Sequence, residues 1–223
     1  VILLSTMVVV PTATAGGLGS EDPGVSDTVT WRVGDKWVYA GAFDPTLLVQ
    51  GAGVDATVGT INGDATTTVD AVTEVDLNGV QTLVYETSSK ADFDKGGVAL
   101  ESYTGNLFIQ YQVDEVRRVS DLAKLSTDLS LNVRYVPYGL SALTQQIADI
   151  TITTTYDPMS ENYDFPLRIG ETWNTSYVSS TAWTGASDYI TPFPQPTSGA
   201  NHTNWEITDV GKPINNLGEQ IGY

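Results

Sequence analysis

Hydrophobic and polar residues alternate one for one along much of the chain, which is the period of a pleated strand with one face on a core. In Leu107-Phe108-Ile109-Gln110-Tyr111-Gln112-Val113, the residues Leu107, Ile109, Tyr111 and Val113 fall on one face. Leu129, Leu131, Val133 and Tyr135 repeat the pattern. Ile150, Ile152 and Tyr156 do so again, with Thr151, Thr153 and Thr155 pointing away. Threonine is frequent throughout, and β-branched side chains suit pleated backbone. Asn78-Gly79 separates 67–75 from 80–87, and Asn62-Gly63 separates 54–61 from a run starting at Ala65. Both are signals for a two-residue hairpin, whose type I′ turn needs positive φ at both central positions. Lys95-Gly96-Gly97 and Thr104-Gly105-Asn106 are expected to mark the next two connections. The stretch from 36 to 113 therefore predicts an antiparallel meander of about six strands.

Two stripes break the alternation. Val119, Leu122, Leu125 and Leu129 recur at helical spacing, with Arg117, Arg118, Asp121, Lys124 and Asp128 between them. Leu140, Leu143 and Ile147 form a second stripe, with Ser141 as N-cap. The expected fold is mostly β: an antiparallel sheet, as a meander, open half-barrel or sandwich, with one or two short helices.

One motif occurs twice. Trp31-Arg32-Val33-Gly34-Asp35-Lys36-Trp37-Val38-Tyr39 and Leu167-Arg168-Ile169-Gly170-Glu171-Thr172-Trp173-Asn174-Thr175 share Arg, a β-branched residue, Gly, an acid, one variable position and Trp. The order of chemical types reads as a duplicated module. Each copy is expected to be a tight turn leading into a strand, with Gly34 and Gly170 in the turn and Trp37 and Trp173 anchored in the core. The pattern resembles a diffuse set of secreted and lipoprotein β-domains of unknown function that open with PL-x-x-G-x-x-W-x-Y. Phe165-Pro166-Leu167-Arg168-Ile169-Gly170-Glu171-Thr172-Trp173 matches that opening. The first copy matches from Gly34 onward, with Trp31 in place of Leu and no Pro. Some of these domains look like open half-barrels similar to lipoprotein carriers, so the resemblance implies a hydrophobic ligand surface. It brings no catalytic residues.

The ends suggest export. Val1 to Val10 is an apolar run of signal-peptide length, too short to span a bilayer, and Ala13-x-Ala15 is a small-x-small cleavage signal. Residues 1–15 are read as a signal-peptide remnant, cut before Gly16, and 16–27 as a flexible linker. With no Cys nearby, a cysteine-borne lipid anchor at that point is not expected. A first β module is assigned to 28–160 and the start of a second to 161–223, linked near Asp157–Asn162. The chain is expected to be part of a longer secreted or cell-surface protein.

Composition narrows the chemistry. Ten Lys and Arg face 27 Asp and Glu, a net charge of −17, which repels phosphate backbones and argues against nucleic acid. The absence of Cys removes disulfides, thiolate metal sites and cysteine nucleophiles, and a single His removes multi-histidine metal sites. A hydrophobic share of 41% is enough for a core, and a mean hydropathy near zero fits no multi-span membrane protein. His202, the one imidazole, is expected on an exposed loop, and no G-x-S-x-G nucleophile turn accompanies it. Asp92-Phe93-Asp94-Lys95-Gly96-Gly97 starts like a calcium loop but lacks the remaining ligands, so Asp92 and Asp94 are the only calcium candidates. Asn174-Thr175-Ser176 and Asn201-His202-Thr203 are sequons, which makes Asn174 and Asn201 glycosylation candidates. Tyr156, Tyr163, Tyr177 and Tyr189 cluster with Trp173, Trp183 and Trp205, a composition for a sandwich core or for a glycan or apolar ligand face. The function expected from all this is a non-enzymatic, exported module that binds a hydrophobic or glycan ligand or a protein partner. The alternatives are a structural or adhesive surface domain, and a secreted hydrolase using a pair of carboxylates.

Overall fold

The alternating runs become long strands. A computed structural model describes residues 10–12, 25–26, 28–46, 56–187, 192, 194–208, 214–216 and 219–221. They form β1 (Val10–Thr12), β2 (Val25–Ser26), β3 (Lys36–Phe43), β4 (Ala56–Thr57), β5 (Ile61–Leu77), β6 (Val80–Leu100), β7 (Tyr103–Arg118), β8 (Lys124–Pro137), β9 (Gln145–Ser160), β10 (Leu167–Arg168), β11 (Thr172–Ala186), β12 (Thr197–Glu206), β13 (Ile214–Asn216) and β14 (Glu219–Ile221), with one 3-10 turn at Ser141–Leu143. One antiparallel sheet holds ten strands, in the order β1-β3-β5-β6-β7-β8-β9-β11-β12, with β4 added against β6. β10 pairs with β2, and β13 with β14, as separate two-stranded ladders. β6 alone has 21 residues, about 70 Å of extended chain. An antiparallel meander forms as expected, but residues 36–113 supply four of its strands, β3, β5, β6 and β7, with short β4 beside β6, where about six were expected.

Register sorts the side chains onto two faces. On the front, Tyr85, Thr87, Ser89, Ala91 and Phe93 of β6 lie beside Arg117, Glu115, Val113, Tyr111 and Ile109 of β7. Next come Lys124, Thr127, Leu129, Leu131 and Val133 of β8, then Thr154, Ile152, Ile150 and Ala148 of β9. The back carries Asp92, Asp94, Gln110, Gln112, Asp114, Asp128, Asn132 and Asp149. Among the described residues no second layer of strands or helices packs on either face. Among the described residues, buried clusters cover the apolar front at its two ends. At one end Ala56, Val58, Ile61, Phe93, Val98, Leu100, Leu107, Ile109 and Tyr135 form a buried cluster. At the other, Val69, Tyr85 and Leu122 are buried under Trp31, Trp37, Val119 and Phe165.

Several expected breaks fall elsewhere. Asn78-Gly79 is the β5–β6 hairpin turn, with φ of 56° and 86° as a type I′ turn requires. Asn62-Gly63, by contrast, lies inside β5. Gly63 serves there as a space, because a Cβ on it would overlap the Phe93 ring. Lys95-Gly96-Gly97 is a bulge inside β6, where the register skips between Lys95 and Val98. The one extra residue brings Val98 and Leu100 to the face that Phe93 occupies. Thr104-Gly105-Asn106 lies within β7, and the preceding turn is at Glu101-Ser102.

The two helical stripes do not form helices of the expected kind. Residues 119–123 are a tight turn in which Leu122 takes φ 60° and is buried, while Leu125 and Leu129 already belong to β8. A turn that shifts the phase between two strands leaves apolar residues three and four apart, which imitates helical spacing. The second stripe yields only the 3-10 turn, with Leu140 and Leu143 42% and 48% exposed and Ile147 packed on the core from β9. No described helix is long and apolar enough to cross a membrane.

The 28–160 and 161–223 segments share this sheet through the β9–β11 ladder, from Val178 opposite Asp157 to Ala186 opposite Asp149. The signal and linker expected at 1–15 and 16–27 lie outside the described residues, apart from β1, which pairs with β3, and β2.

Candidate functional site

The middle of the front face is an apolar field on one layer of strands. Tyr111, Leu129, Leu131, Ile152 and Trp183 are half-buried there, and Val113 and Ile150 are buried between them. Strict alternation on β7, β8 and β9 places all of these on one side. Toward the first cluster the field runs into a small apolar hollow of about 20 Å³, lined by Val58, Val98, Leu107, Val133, Tyr135 and Ile147 among others.

The other end of the field is closed by polar groups. A row of side chains crosses four strands there: Thr87, Glu115, Thr127 and Thr154. The Thr154 hydroxyl is 3.1 Å from that of Thr181 on β11. Thr127 Oγ1 is buried and has no hydrogen-bond partner. Beside this row, Glu115 accepts from Arg117 Nη2 at 2.6 Å and from Lys124 Nζ at 2.8 Å. Burial pushes the Glu115 carboxyl up, but Arg117 and Lys124 outweigh it and hold it below the usual carboxylate range. Burial, reinforced by the Glu115 charge, pushes the Tyr111 hydroxyl up. A second ion cluster, Arg118 with Asp121 and Glu161, pins the 119–123 turn to the coil after β9. The chain compares with no known protein family, curated protein or solved structure at a significant level. The chemistry of the site therefore rests on its own residues.

His202 lies on β12, not in a loop, and is exposed. It sits opposite Ser176, with Oγ 2.7 Å from Nδ1. The pair borders an open hollow of about 320 Å³ that also includes Asp157, Pro158, Tyr177 and Asn201. A catalytic triad needs the carboxylate on the far nitrogen of the imidazole. Asp157 instead lies on β9, two strands from His202 and on the serine side, about 10 Å away at ordinary strand spacing. Among the described residues the hollow thus holds a Ser–His hydrogen bond, and Asp157 is not placed to orient the imidazole.

Asp92 and Asp94 are mid-strand on the back of β6, not in a loop, and Asp92 accepts from Gln110 at 3.1 Å. Among the described residues no group of three or more His, Cys, Asp or Glu is placed to hold a metal ion. Asn174 is exposed on β11. Asn201 uses its amide nitrogen in bonds to Ser179 Oγ and Gly199 O, at 2.9 and 3.0 Å. Of the aromatic cluster, Tyr156 meets Tyr177 edge-on at 5.5 Å, and Trp173 stacks on Trp205 at 6.1 Å. Trp205 is 37% exposed, so these rings line a sheet face and are not the interior of a sandwich. Tyr189 lies outside the described residues.

The repeated motif folds the same way twice. Asp35 N donates to Arg32 O at 2.9 Å and Glu171 N to Arg168 O at 3.0 Å. The acid side chain reaches back to the Arg backbone in both, from Arg32 N to Asp35 at 2.8 Å and from Arg168 N to Glu171 at 3.1 Å. Gly34 N donates to Val69 O on β5, and Gly170 N to Ile207 O just past β12. Trp37 packs on the second buried cluster, whereas Trp173 is on the front face against Trp205. Gly34 and Gly170 have φ of 92° and 81°, and nothing lies near where a Cβ would be. Gly34→Ala and Gly170→Ala are therefore each expected to cost about 1–2 kcal/mol through backbone conformation alone. Matched losses in urea unfolding would check the equivalence of the two turns, and a clear difference would refute it.

Alternation read from the sequence found the apolar field but missed its polar end. Arg117, Lys124 and Asp128 look like the wet side of a helix. The period-2 signal does continue through Tyr111, Val113, Glu115 and Arg117, and that continuation was the available clue.

Proposed function

We propose that this protein is an exported, cell-surface or extracellular β-module that binds an apolar ligand on the front face of its sheet and performs no chemistry itself. One observation carries the reading: half-buried Tyr111, Leu129, Leu131, Ile152 and Trp183 lie on a face with no described second layer. A domain ordinarily buries such a face against another layer. The small-x-small signal after the N-terminal apolar run and the resemblance of 165–173 to secreted β-domains support export. The depressed Glu115 carboxyl is the opposite of what a general acid needs, so Glu115 does not fill that role. A second reading, a structural surface module built from repeats, draws on the matched turns at Gly34 and Gly170.

The test is titration with a neutral apolar probe, N-phenyl-1-naphthylamine. Saturable uptake is expected, with Leu131→Asp weakening it at least about tenfold, since a charge would enter the field. Asn132→Asp, on the back of the same strand, should leave uptake unchanged. No saturable uptake, or equal loss from both variants with the fold intact by circular dichroism, would remove the ligand reading and leave the structural one.

A further inference from the structure

Charge is segregated across this sheet. Most acids of β6 to β9 lie on the back, among them Asp92, Asp94, Asp114, Asp128 and Asp149. On the front of β7 and β8, Glu115 is the one acid among the described residues, and two cations share it. In a chain of net charge −17, this corner of the front face has a net charge of +1 from Arg117, Lys124 and Glu115. The excess sits where the apolar field stops. Lys124 donates one ammonium N–H to Glu115 in an ion pair, and its side chain is 25% exposed. The neighbouring Thr127 hydroxyl is buried and unpartnered, a costly arrangement that a ligand oxygen would relieve. From Val113 to Leu107 the field runs about 20 Å along β7, the reach of a long alkyl chain, and ends at the small hollow beside Tyr135.

We propose that the front face takes a single-chain amphiphile with a carboxylate head, a long-chain fatty acid. Its tail lies along Val113, Tyr111 and Ile109 of β7, beside Leu129, Leu131 and Val133 of β8, and its head meets Lys124 and Thr127. This rests on the apolar-ligand reading above and adds the head group to it. Lys124 Nζ donates to the carboxylate, and Thr127 Oγ1 donates its proton to the same group. Glu115 keeps Lys124 and Arg117 in place while leaving the corner net positive. An uncharged or cationic head would leave Thr127 and the excess charge unmatched.

The experiment compares hexadecanoate with its methyl ester, below their aggregation limits at pH 8, as competitors of the neutral naphthylamine probe. The acid is expected to displace the probe at about tenfold lower concentration than the ester, as a charge-assisted hydrogen bond predicts. Lys124→Gln should bring the two within about threefold of each other while the probe still binds. Thr127→Val, which removes only the unpartnered hydroxyl, is the second variant if Lys124→Gln fails to fold. It should weaken the acid severalfold and leave the ester unchanged. Equal displacement by acid and ester on the natural protein, or an acid preference that survives in both variants, would overturn the head-group assignment while leaving the apolar site standing. Failure of the natural protein to take up the probe at all would instead sink the site itself.

Discussion

Tyr135→Ala is expected to lower stability by about 3–5 kcal/mol, the range for deleting a fully buried ring. Tyr135 is 0% exposed, on β8, in the cluster that closes one end of the front face. Its hydroxyl donates to Val98 O at 3.3 Å, just past the Gly96-Gly97 bulge. The Tyr138 hydroxyl accepts from Gly97 N at 2.7 Å, so two tyrosines hold the bulged strand in place. A single-layer sheet has few other contacts with which to collapse around the lost ring, so the cost should lie toward the upper end. Thermal unfolding would show a fall of about 10 °C or more for a chain of this size. Tyr135→Phe separates the two contributions: only the hydrogen bond is lost, and about 1 kcal/mol is expected. A Tyr135→Ala loss below 1 kcal/mol would mean that this end of the sheet is not a cooperative core.

Glu115→Gln carries the second large effect. It leaves Arg117 and Lys124 facing each other in a partly buried corner without their shared anion. Removing one partner from such a group costs about 3–5 kcal/mol when it is fully buried, and about 2–3 is expected here because the side chains are 17–25% exposed. The pH dependence follows from the direction of the shift. The folded Glu115 carboxyl lies below its unfolded value, so the unfolded chain binds its proton first as pH falls. The contribution is complete above the unfolded carboxylate range near pH 4.3 and is lost progressively below it. Urea midpoints measured from pH 7 down to pH 3 should fall less steeply for Glu115→Gln than for the natural protein. Parallel curves would show that Glu115 is not held down by its two cations.

Much of the sheet could be read in the sequence because alternation is a backbone property. A strand with one apolar face declares it at every second residue, as Leu107 to Val113 and Leu129 to Tyr135 do. What misled was the role of glycine. Gly79 makes a turn, Gly63 makes room for a ring, and Gly96-Gly97 makes a bulge, yet all look like turn signals in one dimension. Only the opposite strand distinguishes them. The helical stripe at 119–129 failed for a related reason, since the phase jump at Leu122 is set by a positive φ that apolar spacing does not reveal. The polar end of the site was hidden because its members come from β7, β8 and β9, and register alone brings Glu115, Lys124, Thr127 and Thr154 together.

The order of strands in the sheet has a kinetic side. From β6 to β9 each strand pairs with the one before it in the chain, so these ladders close by short hairpins with little loop entropy to overcome. All-β proteins are usually slow folders because their pairings join distant segments. Here the sheet can grow outward from any one hairpin, each new strand docking on the last, as units add along a solenoid. Stability then behaves as a chain of nearest-neighbour interfaces. The protein frays from its flanks, and the central strands that carry the apolar field are the last to open.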